Sequence, residues 1–173
     1  MKWWVWLVLG LGALAALAWL VGACLPRAHS ATCAARFKAS PQALFDTVTD
    51  LEGLAAWRKD LTAVERLAPV DGCTSWRERS KWGDVTYVCE IAEPGARLVV
   101  RIANEDLPYG GAWTYRFEPE GDGARLSITE DGFVKPALFR LLSRFAFGHH
   151  ATLRQYLAAL AARHGEAIEI ENR

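Results

Sequence analysis

Three ionisable side chains stand where apolar ones are expected. Glu78 and Glu130 fall in strand-like runs, on the side otherwise taken by Trp76, Tyr87, Cys89, Val100, Ile102, Trp113, Tyr115 and Ile128. His149 falls among Phe145, Leu153 and Tyr156 at helical spacing. A carboxyl among apolar groups has its pKa raised, which suits it to general acid or base work. An imidazole in such surroundings can shuttle a proton or hold a ligand oxygen. Each also has a plainer reading. The glutamates are solvated or paired with a loop arginine, and the histidine is bonded to a backbone carbonyl or to Glu130. Glu78, Glu130 and His149 are thus candidate proton carriers, with none fixed in that role. Tyr87, Tyr115 and Tyr156 add hydroxyls to the same faces, but buried tyrosines ordinarily find a partner for the OH and are core by default.

Other chemistries lack their motifs. There is no nucleophile elbow, phosphate loop or dinucleotide fingerprint. His149 and His150 are neighbours, and adjacent helix positions do not face one another, so they are not a metal pair. Cys24, Cys33, Cys73 and Cys89 follow no CxxC spacing, which argues against zinc; they read as small apolar core residues. No metal or cofactor is expected. The 20 basic residues balance the 20 acidic ones and no basic patch stands out, so nucleic acid is not an expected partner.

These side chains must be positioned by elements, and the first is the plainest. Residues 3–25 contain no charge, Asn, Gln or Pro, long enough for the roughly 20 residues that cross a bilayer as a helix. Residues 1–25 are therefore read as a transmembrane anchor or signal segment and 26–173 as one domain. The apolar run exceeds the usual signal-peptide core of roughly 7–15 residues, which favours an uncleaved single-pass anchor over cleavage after small residues. A third reading is more specific: Val21-Gly22-Ala23-Cys24 resembles the lipobox of bacterial lipoproteins, in which Cys24 would be lipidated on an exported protein. Lys2 lies before the segment and Arg27, Arg36 and Lys38 after it, so the positive-inside rule sets no orientation.

Beyond the leader, residues 29–38 read as a strand, and Ser40-Pro41 as an N-cap with proline at the first helical position. A short helix follows through about residue 49, then a second piece at 51–57 carrying Leu54 and Trp57, then a strand at 61–67. Trp76, Glu78, Ser80 and Trp82 share one side of the next strand, because strand side chains alternate. Gly83-Asp84 is a hairpin signal, and Tyr87, Cys89 and Ile91 continue the inner side. Leu98, Val100 and Ile102, then Trp113, Tyr115 and Phe117, then Leu126, Ile128 and Glu130 do the same. Pairing about the turns predicts one cross-strand row of Glu78, Cys89, Val100, Tyr115 and Ile128, flanked by a row from Trp76 through Ile91 and Leu98 and another from Ser80 through Tyr87 and Ile102. Agreement of successive hairpins on the apolar side predicts an antiparallel meander, since a one-residue slip would turn a strand's apolar set to water. From Lys135-Pro136 to about Arg163 the pattern predicts one long helix, with a bend at Gly148, and a frayed tail over 167–173.

Strand, two short helices, antiparallel meander and long final helix together resemble the START-like, or helix-grip, superfamily (SRPBCC), also called the polyketide cyclase/dehydrase and lipid transport group. The resemblance covers roughly residues 28–164 and is carried by Phe37-Lys38-Ala39-Ser40-Pro41-Gln42-Ala43-Leu44-Phe45-Asp46, by Leu51-Glu52-Gly53-Leu54-Ala55-Ala56-Trp57 and by the final helix. It implies an α+β helix-grip fold, a curved antiparallel sheet wrapped around the C-terminal helix, here preceded by a transmembrane helix. It also implies a cavity between sheet and helix for a hydrophobic or amphipathic molecule. The sheet wall would be Trp76, Glu78, Ser80, Tyr87, Cys89, Val100, Ile102, Trp113, Tyr115, Ile128 and Glu130; the helix wall would be Phe145, His149, Leu153 and Tyr156. Residues 104–111 are the expected lid or entrance.

Three functions follow as alternatives. One is a membrane-tethered module binding a lipid, quinone or isoprenoid. Another is a cyclase or dehydratase using Glu78, Glu130 or His149 as acid or base. The last is a structural domain whose large inner residues fill the core. A cavity would remove the third, and a buried carboxylate in reach of His149 would favour the second.

Overall fold

The computed structural model describes residues 2–173, with only the backbone of Ala146 and Phe147 considered. Helix α1 (Trp3–Cys24) is apolar all round and mostly exposed, with Gly22 its one buried residue. Its 22 residues span roughly 33 Å at 1.5 Å per residue, so by length and composition it can cross a membrane. Strand β1 (Ala28–Phe37) follows, then α2 (Pro41–Thr49). The cap forms as its residues dictate: the Ala43 amide donates to Ser40 Oγ at 3.2 Å, and Pro41, which has no amide hydrogen to leave unsatisfied, opens the helix. Asp50 Oδ1 accepts from the Gly53 amide at 3.1 Å and leads into the single turn α3 (Leu54–Trp57).

The remaining strands are β2 (Leu61–Val70), β3 (Cys73–Ser80), β4 (Gly83–Glu93), β5 (Arg97–Ile102), β6 (Tyr109–Glu120), β7 (Gly123–Val134) and β8 (Ile170–Asn172). They form one sheet in the order β2-β3-β4-β5-β6-β7-β1-β8. Each neighbouring pair is antiparallel. The tail is thus not frayed throughout: β8 adds to β1, and Arg125 Nη2 donates to Glu171 at 2.7 Å.

The pairing across β6 and β7 is as expected, with Trp113 opposite Glu130 and Tyr115 opposite Ile128. Across β4 and β5 it is also as expected up to a bulge, with Tyr87 opposite Ile102 and Cys89 opposite Val100; elsewhere the register moves. The β3–β4 turn is Lys81-Trp82, so Trp76 faces Tyr87 and Glu78 faces Val85. Ser80 Oγ explains the choice: it accepts from the Trp82 amide and donates to the Gly83 carbonyl, closing the turn one step before the Gly-Asp pair. Trp82 is consequently 83% exposed and not on the inner face. A bulge between Cys89 and Ile91 turns Ile91 away and puts Ala92 opposite Leu98. Val100 lies opposite Trp113, two residues from the predicted partner.

The C-terminal segment is not one helix. Helix α4 (Ala137–Leu142) runs into a π-helical turn (Ser143–Phe147), and the chain then breaks at Gly148, whose φ of 71° lies outside the helical range. Helix α5 (Ala151–Arg163) starts afresh, and only α5 lies across the sheet, burying Leu153, Tyr156, Leu157, Leu160 and Ala161. β1 offers it small residues, Ala31, Cys33 and Ala35, all fully or nearly buried. A curved antiparallel sheet closed over α5, with α2 and α3 at its side, is the α+β helix-grip architecture.

Helix α4 packs instead on α1. Arg140 is buried and donates from Nε to the Gly22 carbonyl at 2.9 Å, supplying a cation to the C-terminal end of a helix that has none in its own last turn. A methyl group at Gly22 would collide with the Ala137 carbonyl oxygen. Gly22→Val is therefore expected to separate α4 from α1. Limited proteolysis of the full chain should cut after Arg140 or Arg144 several-fold faster in the variant, while the thermal midpoint of the sheet changes little.

Candidate functional site

Strands β3, β4, β5 and β6 curve away from α5 and leave a cavity of about 400 Å³. Its walls are Phe45 and Val48 of α2, Leu51 and Leu54, and the inward side chains Trp76, Tyr87, Cys89, Leu98, Val100, Trp113 and Tyr115, with Tyr156 from α5. The aromatic rings are packed against one another: Trp76 stacks on Tyr87 at 5.6 Å between centroids, and Tyr156 meets Trp57, Trp113 and Tyr115 edge-on at 5.4, 5.6 and 5.7 Å. Burial pushes the Tyr87, Tyr115 and Tyr156 hydroxyls well above their ordinary pKa, so these phenols stay neutral.

One polar cluster interrupts this surface. Glu78 is 6% exposed. Its Oε2 accepts from Arg58 Nη1 at 2.8 Å and its Oε1 from Trp76 Nε1 at 3.2 Å. Arg58 also donates from Nη2 to Asp60 at 2.6 Å, and its guanidinium lies 5.4 Å from the Tyr156 ring centre. Burial alone would lower the Arg58 pKa; Glu78 and Asp60 outweigh it and hold the guanidinium more firmly protonated than usual. Arg58 sits directly after α3, in the link to β2, and its part was missed in the sequence. The signal was indirect: a carboxylate on an apolar face is tolerable only when paired, and a cation follows the buried Trp57.

Of the residues expected to line the cavity, Trp76, Glu78, Tyr87, Cys89, Val100, Trp113, Tyr115 and Tyr156 do so in this geometry, and seven do not. Ser80 is spent on the β3–β4 turn. Ile102 lies at the β5 end, beside the 103–108 link. Ile128 and Leu153 are fully buried where α5 touches the sheet directly, with no space between. Phe145 is 70% exposed, because the break at Gly148 leaves it on the α4 side. Nor is 104–111 a lid: β6 already begins at Tyr109, Asn104 Oδ1 accepts from the Thr86 amide, and the Pro108 carbonyl accepts from Lys135. The residues flanking the opening are instead Thr49, Arg66, Thr74, Ala92 and Pro94, toward the other end of the sheet. Arg77 pairs with Glu65, and Arg79 with Glu65 and Asp84.

Glu130 and His149 form a separate group. His29 Nε2 lies 3.3 Å from Glu130 Oε1, and the His149 ring stacks on His29 at 4.0 Å. Glu130 is thus joined to His149 only through His29, and Glu78 belongs to neither. Burial, then His29, Arg144 and His150, lowers the His149 pKa. Cys24 is exposed at the end of α1 and Cys33 is buried; no cysteine among the described residues is in a disulfide.

A curved sheet gripping a helix around an aromatic-walled cavity defines a helix-grip fold. The chain belongs to the polyketide cyclase / dehydrase and lipid transport family, whose model matches residues 28–165. Solved structures share the fold at low identity. Truncated norcoclaurine synthase from Thalictrum flavum aligns with TM-score 0.64 and 12% identity, covering 81% of this chain and 95% of that one. TTHA0849 from Thermus thermophilus aligns with TM-score 0.64 and 21% identity over 78% and 96%. The di-domain ARO/CYC StfQ of the steffimycin biosynthetic pathway gives TM-score 0.60 and 12% identity over 78% of this chain and 47% of that one, so the chain spans about half that protein's length. No curated protein matches the chain.

Two outcomes test this geometry. Glu78→Leu leaves Arg58 paired with Asp60 but takes the partner from its Nη1 and is expected to cost about 2 kcal/mol, while Arg58→Met with Glu78→Leu recovers most of the loss; denaturant titration of the three proteins measures both. The His149 shift sets a pH dependence. A depressed folded-state pKa means the unfolded chain binds the proton first, so stability falls as pH drops from the ordinary 6.5 through the lower folded value. Thermal midpoints from pH 7.5 to about 5 should show this fall and lose part of it in His149→Phe.

Proposed function

We propose that this protein is a membrane-tethered binding domain for a hydrophobic or amphipathic small molecule, of the lipid, quinone or isoprenoid class, held in the cavity between the sheet and α5. The observation that carries the reading is the cavity itself. At about 400 Å³ it falls in the range of small-molecule sites, roughly 300–1,000 Å³ with mostly apolar walls and a few placed polar groups. It also counts against a filled, purely structural core. The family's name includes lipid transport, which agrees with such a cargo. Residues 1–25 act as the anchor and the rest as the binding domain, and the length and composition of α1 support that division.

The polar cluster narrows the guest. One guanidinium faces two carboxylates, Glu78 and Asp60, so the cluster has no cation to spare for an acidic headgroup. Neutral phenols at Tyr87 and Tyr156 offer hydrogen bonds to a carbonyl or hydroxyl, while that of Tyr115 is engaged with Tyr156. At that inner end the arrangement favours a neutral carbonyl or hydroxyl, as in a quinone or an isoprenoid alcohol; an acidic headgroup would instead meet Arg66, which lines the cavity at its exposed side. Acid–base catalysis has less support: both oxygens of Glu78 are engaged, and His149 lies outside the cavity, stacked on His29.

Native mass spectrometry of the full chain purified from its host, with extraction of bound lipid, tests the proposal, and the intact mass separates an uncleaved anchor from a lipidated Cys24. A neutral guest at 100 times its dissociation constant should add about 2.7 kcal/mol of stability. Val100→Phe, which narrows the cavity, should reduce that gain severalfold without unfolding the chain. Empty preparations together with no response to quinones, isoprenoid alcohols or fatty acids would end the reading.

A further inference from the structure

The end of the sheet where α1 enters carries an exposed apolar surface that the cavity does not use. On α4 and the π-helical turn, Leu138, Phe139, Leu142 and Phe145 are 47%, 58%, 44% and 70% exposed. Leu138, Leu142 and Phe145 follow i, i+4, i+7 spacing and so share one side. Outside α1, the other exposed large apolar residues among those described are Val70, Trp82, Tyr109 and Phe133. Except for Val70, these also lie at the anchor end: Phe133 pairs with Ala28, Tyr109 with Val134, and Trp82 is in the turn between β3 and β4. Lysines accompany two of them, Lys81 Nζ 5.0 Å from the Trp82 ring centre and Lys135 Nζ 5.8 Å from that of Phe133. Aromatic residues beside lysines suit the headgroup level of a bilayer.

We infer that α4 and the π-helical turn are an interfacial membrane-docking element, lying in the bilayer surface beside α1 with Leu138, Phe139, Leu142 and Phe145 among the acyl chains. The depth follows from the contact with α1. Arg140 bonds the Gly22 carbonyl, and Gly22 is two residues before the end of α1, about 3 Å along its axis. A helix spanning roughly 30 Å of hydrocarbon puts that last turn at the boundary with the headgroups, where interfacial helices bury their apolar face by about 5–10 Å. The exposed Arg144 is long enough to keep its charge at headgroup level while its stem lies along apolar surface. A second copy of the chain is a poorer occupant: four side chains on little more than two turns fall well short of the roughly 800 Å² per partner of a stable interface. The inference rests on the reading of α1 as an anchor and adds that the domain is held flat against the lipid.

The test uses the full chain in phosphatidylcholine vesicles containing a phosphatidylcholine with a diazirine in its acyl chain. After photolysis, tryptic peptides are mapped by mass spectrometry. Adducts are expected on α1 and on residues 126–140 and 145–154, with at least tenfold fewer on 117–125 at the opposite end. Leu138→Ser, Phe139→Ser, Leu142→Ser and Phe145→Ser combined should keep the α1 adducts, keep the near-ultraviolet dichroism and lose those on α4 about tenfold. Adducts on α1 alone overturn the docking and leave the anchor standing. Adducts on α4 without α1 uphold the docking and remove the anchor; adducts on neither remove both. Concentration-dependent cross-links between copies through α4, in place of lipid adducts, would also overturn it.

Discussion

Close approach of α5 to one half of the sheet is the interaction on which the rest of the fold depends. Ala31, Cys33 and Ala35 on β1 present almost no side-chain bulk, so Leu153, Leu157 and Leu160 reach the sheet and are fully buried. Nearly all their apolar surface leaves water there, which is worth roughly 1.5–3 kcal/mol per side chain before entropy is counted. The sheet's curvature then carries β3, β4 and β5 away from the helix. Large rings on those strands narrow the resulting space without closing it. Packing on one side thus produces emptiness on the other, and the small residues of β1 matter to the cavity although none touches it.

The buried charge in that space is tolerable because of how completely it is paired. Arg58 reaches both Glu78 and Asp60, and the second oxygen of Glu78 takes the Trp76 indole hydrogen. An ion pair this deep is weak as a source of stability, since desolvation offsets most of its attraction. Its retention in an apolar wall is better understood as orientation. The cluster ties α3 to β3 and gives an otherwise featureless pocket one polar end.

Gly148 divides the C-terminal segment into two parts with different tasks. With φ at 71°, it ends the π-helical turn and lets α5 take its own direction across the sheet. What precedes it stays with α1. The grip and the contact with α1 are therefore separately built, although they come from one apolar run. The His29, His149 and Glu130 group lies where these two parts meet, which is why residues that looked like cavity chemistry lie at a junction instead.

Local chemistry was sufficient to read much of this from the amino-acid sequence. The apolar helix, the Ser40-Pro41 helix start, the alternating strands and the inward side of Trp113, Tyr115, Ile128 and Glu130 depend on neighbours within a few residues, and period and capping report those directly. The even spacing of strands also kept Trp76, Glu78 and Tyr87 inward although their partners across β3 and β4 were misplaced, because a shift of an even number of residues preserves the face. The tertiary structure decided what depends on distant groups. Ser80 selected the turn, a bulge expelled Ile91, contact with α1 claimed α4, and Arg58 crossed from the α3–β2 link to Glu78. A periodic pattern marks which side of an element avoids water; only the packed chain determines whether that side meets another element, a lipid or an empty space.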